Sequence, residues 1–167
     1  MEYTGYKCLE LSDEELAGVY AGTYGADAFA RNEYGIILDK DQKPIEYVKF
    51  DGSRLVRVGF PTITNTMDGT IKPRNMEQVC AMDLLKDRNV PVKVLRGVYG
   101  SGKDFLMFNA AMELLEAGKF NKLVYLRPHI DVADMPALGA LPGDANEKLA
   151  WTLAPLYDKT GGEFMIN

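Results

Sequence analysis

The 167-residue sequence predicts an α/β fold in which a small antiparallel β meander precedes a partial parallel sheet built on one βαβ unit. Short β-type runs separated by turn residues fill residues 34–58, which predicts the meander. After Pro73 the order becomes helix, strand, glycine-rich loop, helix and strand, which is typical of parallel strands joined by a crossover helix. We therefore expect two regions, residues 1–70 with an N-terminal helix and the meander, and residues 71–167 with the βαβ unit.

The N-terminal region carries local signals for one helix and three strands. Ser12 followed by Glu15 forms a capping-box pattern at the start of a helix. The Asp51-Gly52 pair between two β-type runs predicts a hairpin, because glycine tolerates the positive φ of a tight turn. The strands are expected at residues 34–38, 45–50 and 55–58, followed by a polar connector at residues 65–72. Packing against the second region and an independent binding role both remain open for the meander.

The second region is predicted to contain two helices and two buried strands. Asn75 is placed to cap the first helix, and Gly118 is placed to end the second, which is expected at residues 105–117. The aliphatic runs at residues 91–95 and 122–126 predict the two parallel strands.

Composition excludes several classes of function. The apolar stretches are far shorter than the roughly 20 residues of a membrane span, and Cys8 and Cys80 lack the spacing of a zinc site or a disulfide framework. These features favour a cytoplasmic protein. The single histidine, His129, disfavours triad-type nucleophilic catalysis. The net charge of -5 argues against holding nucleic acid by bulk electrostatics, although a local basic groove stays compatible with it.

Residues 97–103 form a glycine-rich loop of the GxxxxGK (Walker A) pattern between a predicted strand and a predicted helix. Glycines allow successive backbone N–H groups to point inward, the helix N-terminus adds partial positive charge, and Lys103 can reach the outer phosphates. We call residues 97–103 the candidate phosphate loop and expect it to bind a nucleoside triphosphate, with ATP as the first choice. The alternative is a glycine-rich turn with a solvated lysine.

Asp104 departs from the pattern at the next position. A serine or threonine there would ligate Mg²⁺ through its hydroxyl group. A carboxylate also ligates Mg²⁺, but its negative charge opposes the attraction between Lys103 and the triphosphate. We therefore expect Asp104 to contact the metal, with weakened nucleotide binding or impaired hydrolysis.

The sequence motifs on either side of the loop resemble those of a known family. Residues 71–78 read IKPRNMEQ, residues 126–128 read LRP, residues 141–144 read LPGD, and Glu147-Lys148 follow. With these motifs the chain resembles the PhoH-like proteins, P-loop ATPases related to superfamily 1 helicases. The resemblance covers most of the chain and implies an ATP-binding, helicase-like protein whose complete relatives couple ATP hydrolysis to action on RNA.

The resemblance also implies roles for individual residues. Gln78 stands where the family places a glutamine that recognises adenine, a task that suits an amide because it can donate and accept at once. Arg127 and Lys148 stand in the region that would approach RNA or single-stranded nucleic acid, although ion pairs with nearby aspartates explain them equally well. Lys103 is the expected catalytic residue. The expected nucleotide-binding residues are Gln78, Gly97, Val98, Tyr99, Gly100, Ser101, Gly102, Lys103, Asp104 and Phe105.

The acidic Walker B strand of such ATPases has no counterpart after Lys148. The resemblance therefore implies an ATPase domain truncated before that motif, which would hydrolyse ATP only if the missing elements were supplied. Two alternatives stay open: a hydrolysis-deficient nucleotide-binding module and a small-molecule kinase built on a P-loop fold. A parallel sheet cut short exposes an edge, so we also expect a homo-oligomer.

Overall fold

The computed structural model describes residues 3–126. A first unit ends at Lys119, and residues 120–126, the described part of a second unit, contain no helix or strand. The strands are β1 (Tyr6–Glu10), β2 (Tyr34–Leu38), β3 (Pro44–Phe50), β4 (Leu55–Arg57), β5 (Ile63–Asn65) and β6 (Gly69–Ile71). The helices are α1 (Asp13–Ala21), α2 (Met76–Lys86) and α3 (Lys103–Glu116), with a short 3-10 turn at Ala26–Ala28. The predicted boundary after residue 70 stays a prediction.

The predicted meander is present. Strands β2, β3 and β4 pair antiparallel in sequence order within a four-stranded sheet. The β3–β4 turn is held by the Asp51 carboxylate, which accepts hydrogen bonds from the backbone N–H groups of Ser53 and Arg54 at 2.7 and 2.9 Å. Gly52 in this turn has φ +109°, the positive backbone angle that the Asp-Gly pair predicted.

Strand β1 was not expected from the sequence. It pairs parallel to β2, with Tyr6 opposite Tyr34 and Glu10 opposite Leu38, and α1 lies in the crossover connection. The capping box of α1 is confirmed, because Ser12 Oγ accepts from the Glu15 N–H while the Glu15 carboxylate accepts from the Ser12 N–H. Parallel pairing joins segments far apart in sequence, so no local turn signal reveals it.

The sheet is covered on both faces, which is why every residue of β2 is buried. Ile37 packs in a cluster that includes Val19 of α1, whereas Ile36 packs in a second cluster that includes Cys80 of α2. Since successive strand side chains point to opposite faces, α1 and α2 lie on opposite sides of the sheet. The meander therefore shares its core with the helix that leads toward the candidate phosphate loop.

Residues 65–72 do not form the predicted polar connector. Gly69–Ile71 pairs antiparallel with Ile63–Asn65 as the hairpin β5–β6. The Asn65 side-chain oxygen accepts from the N–H groups of Met67 and Asp68, and Gly69 takes φ +68°. An Asx turn and a left-handed glycine thus close a three-residue loop. Ile63 of this hairpin is buried with side chains of α2 and α3 in a third cluster, Met82, Leu85, Leu106 and Ala110.

The prediction of two parallel strands at residues 91–95 and 122–126 is wrong. Neither residues 91–95 nor residues 122–126 belong to a sheet. Val92 and Val94 are 78% and 80% exposed, and Val124 and Leu126 are also exposed. A strand exists only with a neighbour that takes its backbone hydrogen bonds, and among residues 3–126 no segment supplies one to either run. Within residues 3–126 the fold is a mixed α/β arrangement in which β1 and β2 pair parallel.

Candidate phosphate-binding site

The candidate phosphate loop is tightly turned and directly precedes α3. The Ser101 N–H donates to the Val98 carbonyl at 3.4 Å, which closes a turn in the middle of the loop. Gly100 and Gly102 have φ angles of +76° and +85°, which residues other than glycine rarely adopt. Gly102, the second glycine of the GxxxxGK pattern, and Gly100 inside the loop therefore stand where the backbone favours glycine.

Helix α3 begins immediately at the end of this loop. Gly102 is its N-cap and has no side chain with which to cap the first turn, and the Leu106 N–H donates to the Gly102 carbonyl at 2.9 Å. The N-terminus of a helix carries about half a positive charge and backbone donors that suit an anion. The start of α3 therefore provides backbone donors and partial positive charge at the end of the loop.

Lys103 is folded back onto the loop. Its ammonium nitrogen lies 3.0 Å from the Gly97 carbonyl oxygen, 2.7 Å from that of Val98 and 3.2 Å from Ser101 Oγ. Three neutral oxygen atoms of the loop thus accept hydrogen bonds from the positively charged Lys103 ammonium group. Because an anionic oxygen accepts a stronger hydrogen bond from an ammonium group than a neutral carbonyl does, a phosphate could replace these partners.

The remaining loop side chains and the two residues after Lys103 face solvent to different degrees. Val98 and Tyr99 are highly exposed, Asp104 is exposed in the first turn of α3, and Phe105 is partly exposed. Within residues 3–126, no group of three or more His, Cys, Asp or Glu side chains could hold a metal ion. A divalent cation at Asp104 would therefore need oxygen atoms from the nucleotide and from water.

Gln78 lies beside the loop, although 23 residues separate it from Ser101 in sequence. Its side-chain nitrogen donates to the Ser101 carbonyl at 3.3 Å, and its side-chain oxygen accepts from the Arg74 N–H at 2.9 Å. Asn75, the N-cap of α2, accepts from the Gln78 backbone N–H at 2.9 Å, as its capping position predicted. The structure thus brings the predicted adenine-recognising residue to the predicted phosphate loop.

An ion-pair cluster fixes the other end of α2 on the sheet. Lys49 of β3 contacts Asp83 at 3.1 Å and Asp87 at 2.8 Å, and the Tyr34 hydroxyl donates to Asp83 at 2.6 Å. The hydrogen bond from Lys49 holds the pKa of Asp87 below its ordinary value. Burial, together with the bond to Asp83, raises the pKa of Tyr34. These contacts hold the helix that carries Gln78.

Sequence reasoning missed two site-supporting residues, Asn65 and Asn109. Both are buried, and their side chains are hydrogen-bonded to each other between the β5–β6 hairpin and α3. A signal was available for Asn109, because an amide occurs between Leu106 and Ala110 on the apolar face of the helix. Arg127 and Lys148, the predicted nucleic-acid contacts, lie outside the described residues.

Comparison with known proteins identifies the family. The family model described as PhoH-like protein matches residues 70–164. The chain belongs to the PhoH-like family. The resemblance drawn from residues 71–78 and from the motifs after residue 126 is thereby confirmed. No helix within residues 3–126 of this PhoH-like chain has the length and apolar character needed to cross a membrane.

Several curated PhoH-like relatives are similar to the chain. Protein PhoH2 of Bacillus subtilis (strain 168) is 28% identical over 99% of this chain and 38% of its own length. Protein PhoH2 of Mycolicibacterium smegmatis is 36% identical over 55% of this chain and 21% of its own length. That of Thermobispora bispora is 34% identical over 54% of this chain and 21% of its own length. No solved structure matches. The chain thus spans less than half the length of these relatives.

Proposed function

We propose that this PhoH-like chain binds the triphosphate of ATP in residues 97–103. The observation that carries the proposal is the convergence of one ammonium group, a turn with two positive-φ glycines and a helix N-terminus within seven consecutive residues. The family is a nucleotide-binding one, which supports the same ligand class. In the proposal, Lys103 exchanges its carbonyl partners for phosphate oxygens when a polyphosphate binds.

Each residue has a distinct role in the proposal. The Lys103 ammonium leaves the Gly97 and Val98 carbonyls to neutralise the β and γ phosphates, while the loop backbone and the N-terminus of α3 hold the phosphate oxygens. Asp104 would hold Mg²⁺, which would offset the negative charge of the triphosphate. The contacts of Gly100 and Gly102 with phosphate come from their backbone N–H groups.

Gln78 recognises adenine in this proposal. A glutamine amide has two N–H donors and an oxygen with two lone pairs. One donor is directed to Ser101 and one lone pair to Arg74, so one donor and one acceptor remain for a base. Adenine presents an acceptor beside a donor on one edge, which complements that pair.

ATP binding without turnover is the second candidate function. Asp104 favours it, because this carboxylate stands where a Mg²⁺-binding hydroxyl is expected and is exposed next to Lys103. In the first candidate, hydrolysis is coupled to action on RNA, as the family resemblance implies for complete relatives. A phosphate-release assay run beside a binding titration distinguishes them, since binding with no release supports the second.

The test of the shared claim is a calorimetric titration with Mg-ATP of the parent protein, Lys103→Ala and the control Lys119→Ala. Removing a charge-assisted contact of about 1.5 to 3 kcal/mol lowers affinity by about tenfold to a hundredfold. Lys119 is exposed and lies beyond the C-terminal end of α3, so its loss leaves affinity unchanged. Equal affinities of Lys103→Ala and the parent protein contradict the proposal.

A further inference from the structure

The β5–β6 hairpin is attached to α3 by polar contacts on one helix face. Asn109 binds Asn65, Glu113 accepts from the Thr64 N–H at 2.9 Å, and Glu116 accepts from the N–H and hydroxyl of Thr66. The helix positions 109, 113 and 116 follow the i, i+4, i+7 spacing of a single face. The hairpin therefore runs along the helix that begins at the candidate phosphate loop.

The Asn65–Asn109 pair forms the buried end of this attachment. Asn65 is 4% exposed and Asn109 is 0% exposed. The Asn65 side-chain nitrogen donates to Asn109 Oδ1 at 2.7 Å, and Asn109 Nδ2 donates to the Phe105 carbonyl at 2.9 Å. A continuous chain of hydrogen bonds thus connects the hairpin to the first turn of α3, two residues from Lys103.

The same hairpin is attached to α2, which carries Gln78. Strand β6 ends at Ile71, four residues before the Asn75 cap of α2. From the other end of α2, the Lys86 ammonium donates to the Thr62 carbonyl and to Glu113 at 3.1 Å. The hairpin therefore contacts both helices that border the candidate nucleotide site.

Apolar packing alone does not fix how these helices are rotated relative to each other. Ile63, Met82 and Leu106 pack through contacts that have no directional preference. A hydrogen bond weakens steeply away from its preferred angle. A matched apolar pair in place of two mutually bonded amides is often as stable, so the Asn65–Asn109 contact itself is not required for fold stability. The Asn65 oxygen has a separate structural role, because it accepts from the Met67 and Asp68 N–H groups of the hairpin loop.

We propose that Asn65 and Asn109 are positioning residues that set the rotation of α3 relative to Gln78. They hold the phosphate-binding and base-recognising groups at one matched spacing, so that ATP contacts both at once. This inference rests on the proposed function, because it assumes that phosphates bind at residues 97–103 and adenine at Gln78. Neither asparagine touches the nucleotide.

The test compares ATP with inorganic tripolyphosphate, which lacks the base and so reports on the phosphate loop alone. Asn109→Leu and the double variant Asn65→Leu/Asn109→Leu are titrated with both ligands by calorimetry below their melting temperatures. The double variant removes both side chains of the Asn65–Asn109 pair together, so neither buried side-chain amide is left facing an apolar partner. It also removes the acceptor of the Met67 and Asp68 N–H groups, so its melting temperature is measured before the titrations. In both variants we expect the ratio of ATP affinity to tripolyphosphate affinity to fall by about tenfold, with tripolyphosphate affinity retained.

The control is Thr66→Val, which removes a hydrogen bond to Glu116 from the same hairpin at its exposed end. Its affinity ratio is expected to match that of the parent protein. An unchanged ratio in the folded double variant overturns the positioning role even if its melting temperature changes, because a purely structural role alters stability alone. If the parent protein binds neither ATP nor tripolyphosphate, the proposed function is wrong. That outcome differs from an unchanged affinity ratio, which overturns the positioning role alone.

Discussion

The side-chain nitrogen of Gln78 lies 3.3 Å from the carbonyl oxygen of Ser101, which connects the first turn of α2 to the candidate phosphate loop. This contact joins two sequence motifs of the PhoH-like family that are separated along the chain. It places a residue suited to base recognition next to one suited to phosphate binding. Substitutions at these positions should therefore change different parts of nucleotide affinity.

Gln78→Ala is expected to weaken ATP binding and to remove the preference for ATP over GTP. Each neutral hydrogen bond contributes about 1 kcal/mol, so the ATP affinity should fall by about fivefold to tenfold while GTP affinity changes less. Competition titrations with the two nucleotides measure this. Glu77→Ala, in the same helical turn but outside the contact with Ser101, is the matched control. A retained preference for ATP in Gln78→Ala would rule out the base-recognition role.

Asp104→Thr is expected to increase the affinity for Mg-ATP. The substitution removes an exposed negative charge beside the triphosphate, whose repulsion is about 1 kcal/mol for two fully solvated unit charges about 4 Å apart, and supplies a hydroxyl ligand for the metal. Asp104→Asn separates the two effects, since it removes the charge without adding the hydroxyl group. Equal or weaker affinity of Asp104→Thr in a calorimetric titration would refute the argument.

Gly35→Ala is expected to destabilise the N-terminal sheet by about 1 to 3 kcal/mol, because overpacking a core forces side chains to move. A β-carbon at position 35 would lie 2.9 Å from Val48 Cγ2 and 3.1 Å from Leu9 Cδ1. Gly59→Ala is the control, since a β-carbon there meets nothing within 4 Å. Urea unfolding of the three proteins gives the free energies. Equal stability of Gly35→Ala and Gly59→Ala would show that the β2–β3 packing is looser than described.

Local signals predicted the elements that local chemistry determines. The capping box of α1, the Asn75 cap of α2 and the Asp51-Gly52 turn each involve neighbouring residues, and all are present. The parallel β1–β2 pair was missed because its partners are far apart in sequence. Residues 91–95 were wrongly expected to form a strand, because an aliphatic run indicates burial in a sheet only where a partner strand is available.

In the candidate site, too, the features set by neighbouring residues were predictable and the contacts between distant residues were not. The GxxxxGK pattern predicted a turned loop at the start of a helix, since glycine conformation and helix capping are local properties. The resemblance to the family singled out Gln78, but only the structure shows its contact with Ser101. The Asn65–Asn109 contact was not predictable from sequence spacing, because it joins residues of a hairpin and a helix that are 44 positions apart in the chain.

The buried Glu33 carboxylate makes stability depend on acidic pH. Burial opposes its ionisation, but hydrogen bonds from the Thr4 and Ala30 N–H groups and contact with Lys7 outweigh that effect and lower its pKa from 4.5 to about 2. Because the folded pKa is depressed, this stabilisation is fully present above pH 4.5 and is lost as pH falls toward 2. It amounts to about 3 kcal/mol.

The measurement is urea unfolding of the parent protein and Glu33→Gln from pH 7 to pH 3. The variant should be less stable at neutral pH and should lose less stability on acidification, because a glutamine does not titrate. Identical pH dependence of the two proteins would show that Glu33 does not carry this stabilisation.

Backbone NMR of the ¹⁵N-labelled protein during a titration with inorganic tripolyphosphate tests the central claim most directly. If the candidate phosphate loop binds the triphosphate, the largest saturable shifts will occur at the amides of Gly100, Gly102, Lys103 and Asp104. The amides of β2 should remain unchanged, and Lys103→Ala should need about tenfold to a hundredfold more ligand for the same response. Saturable shifts centred elsewhere, or none in the loop at millimolar ligand, would contradict the account.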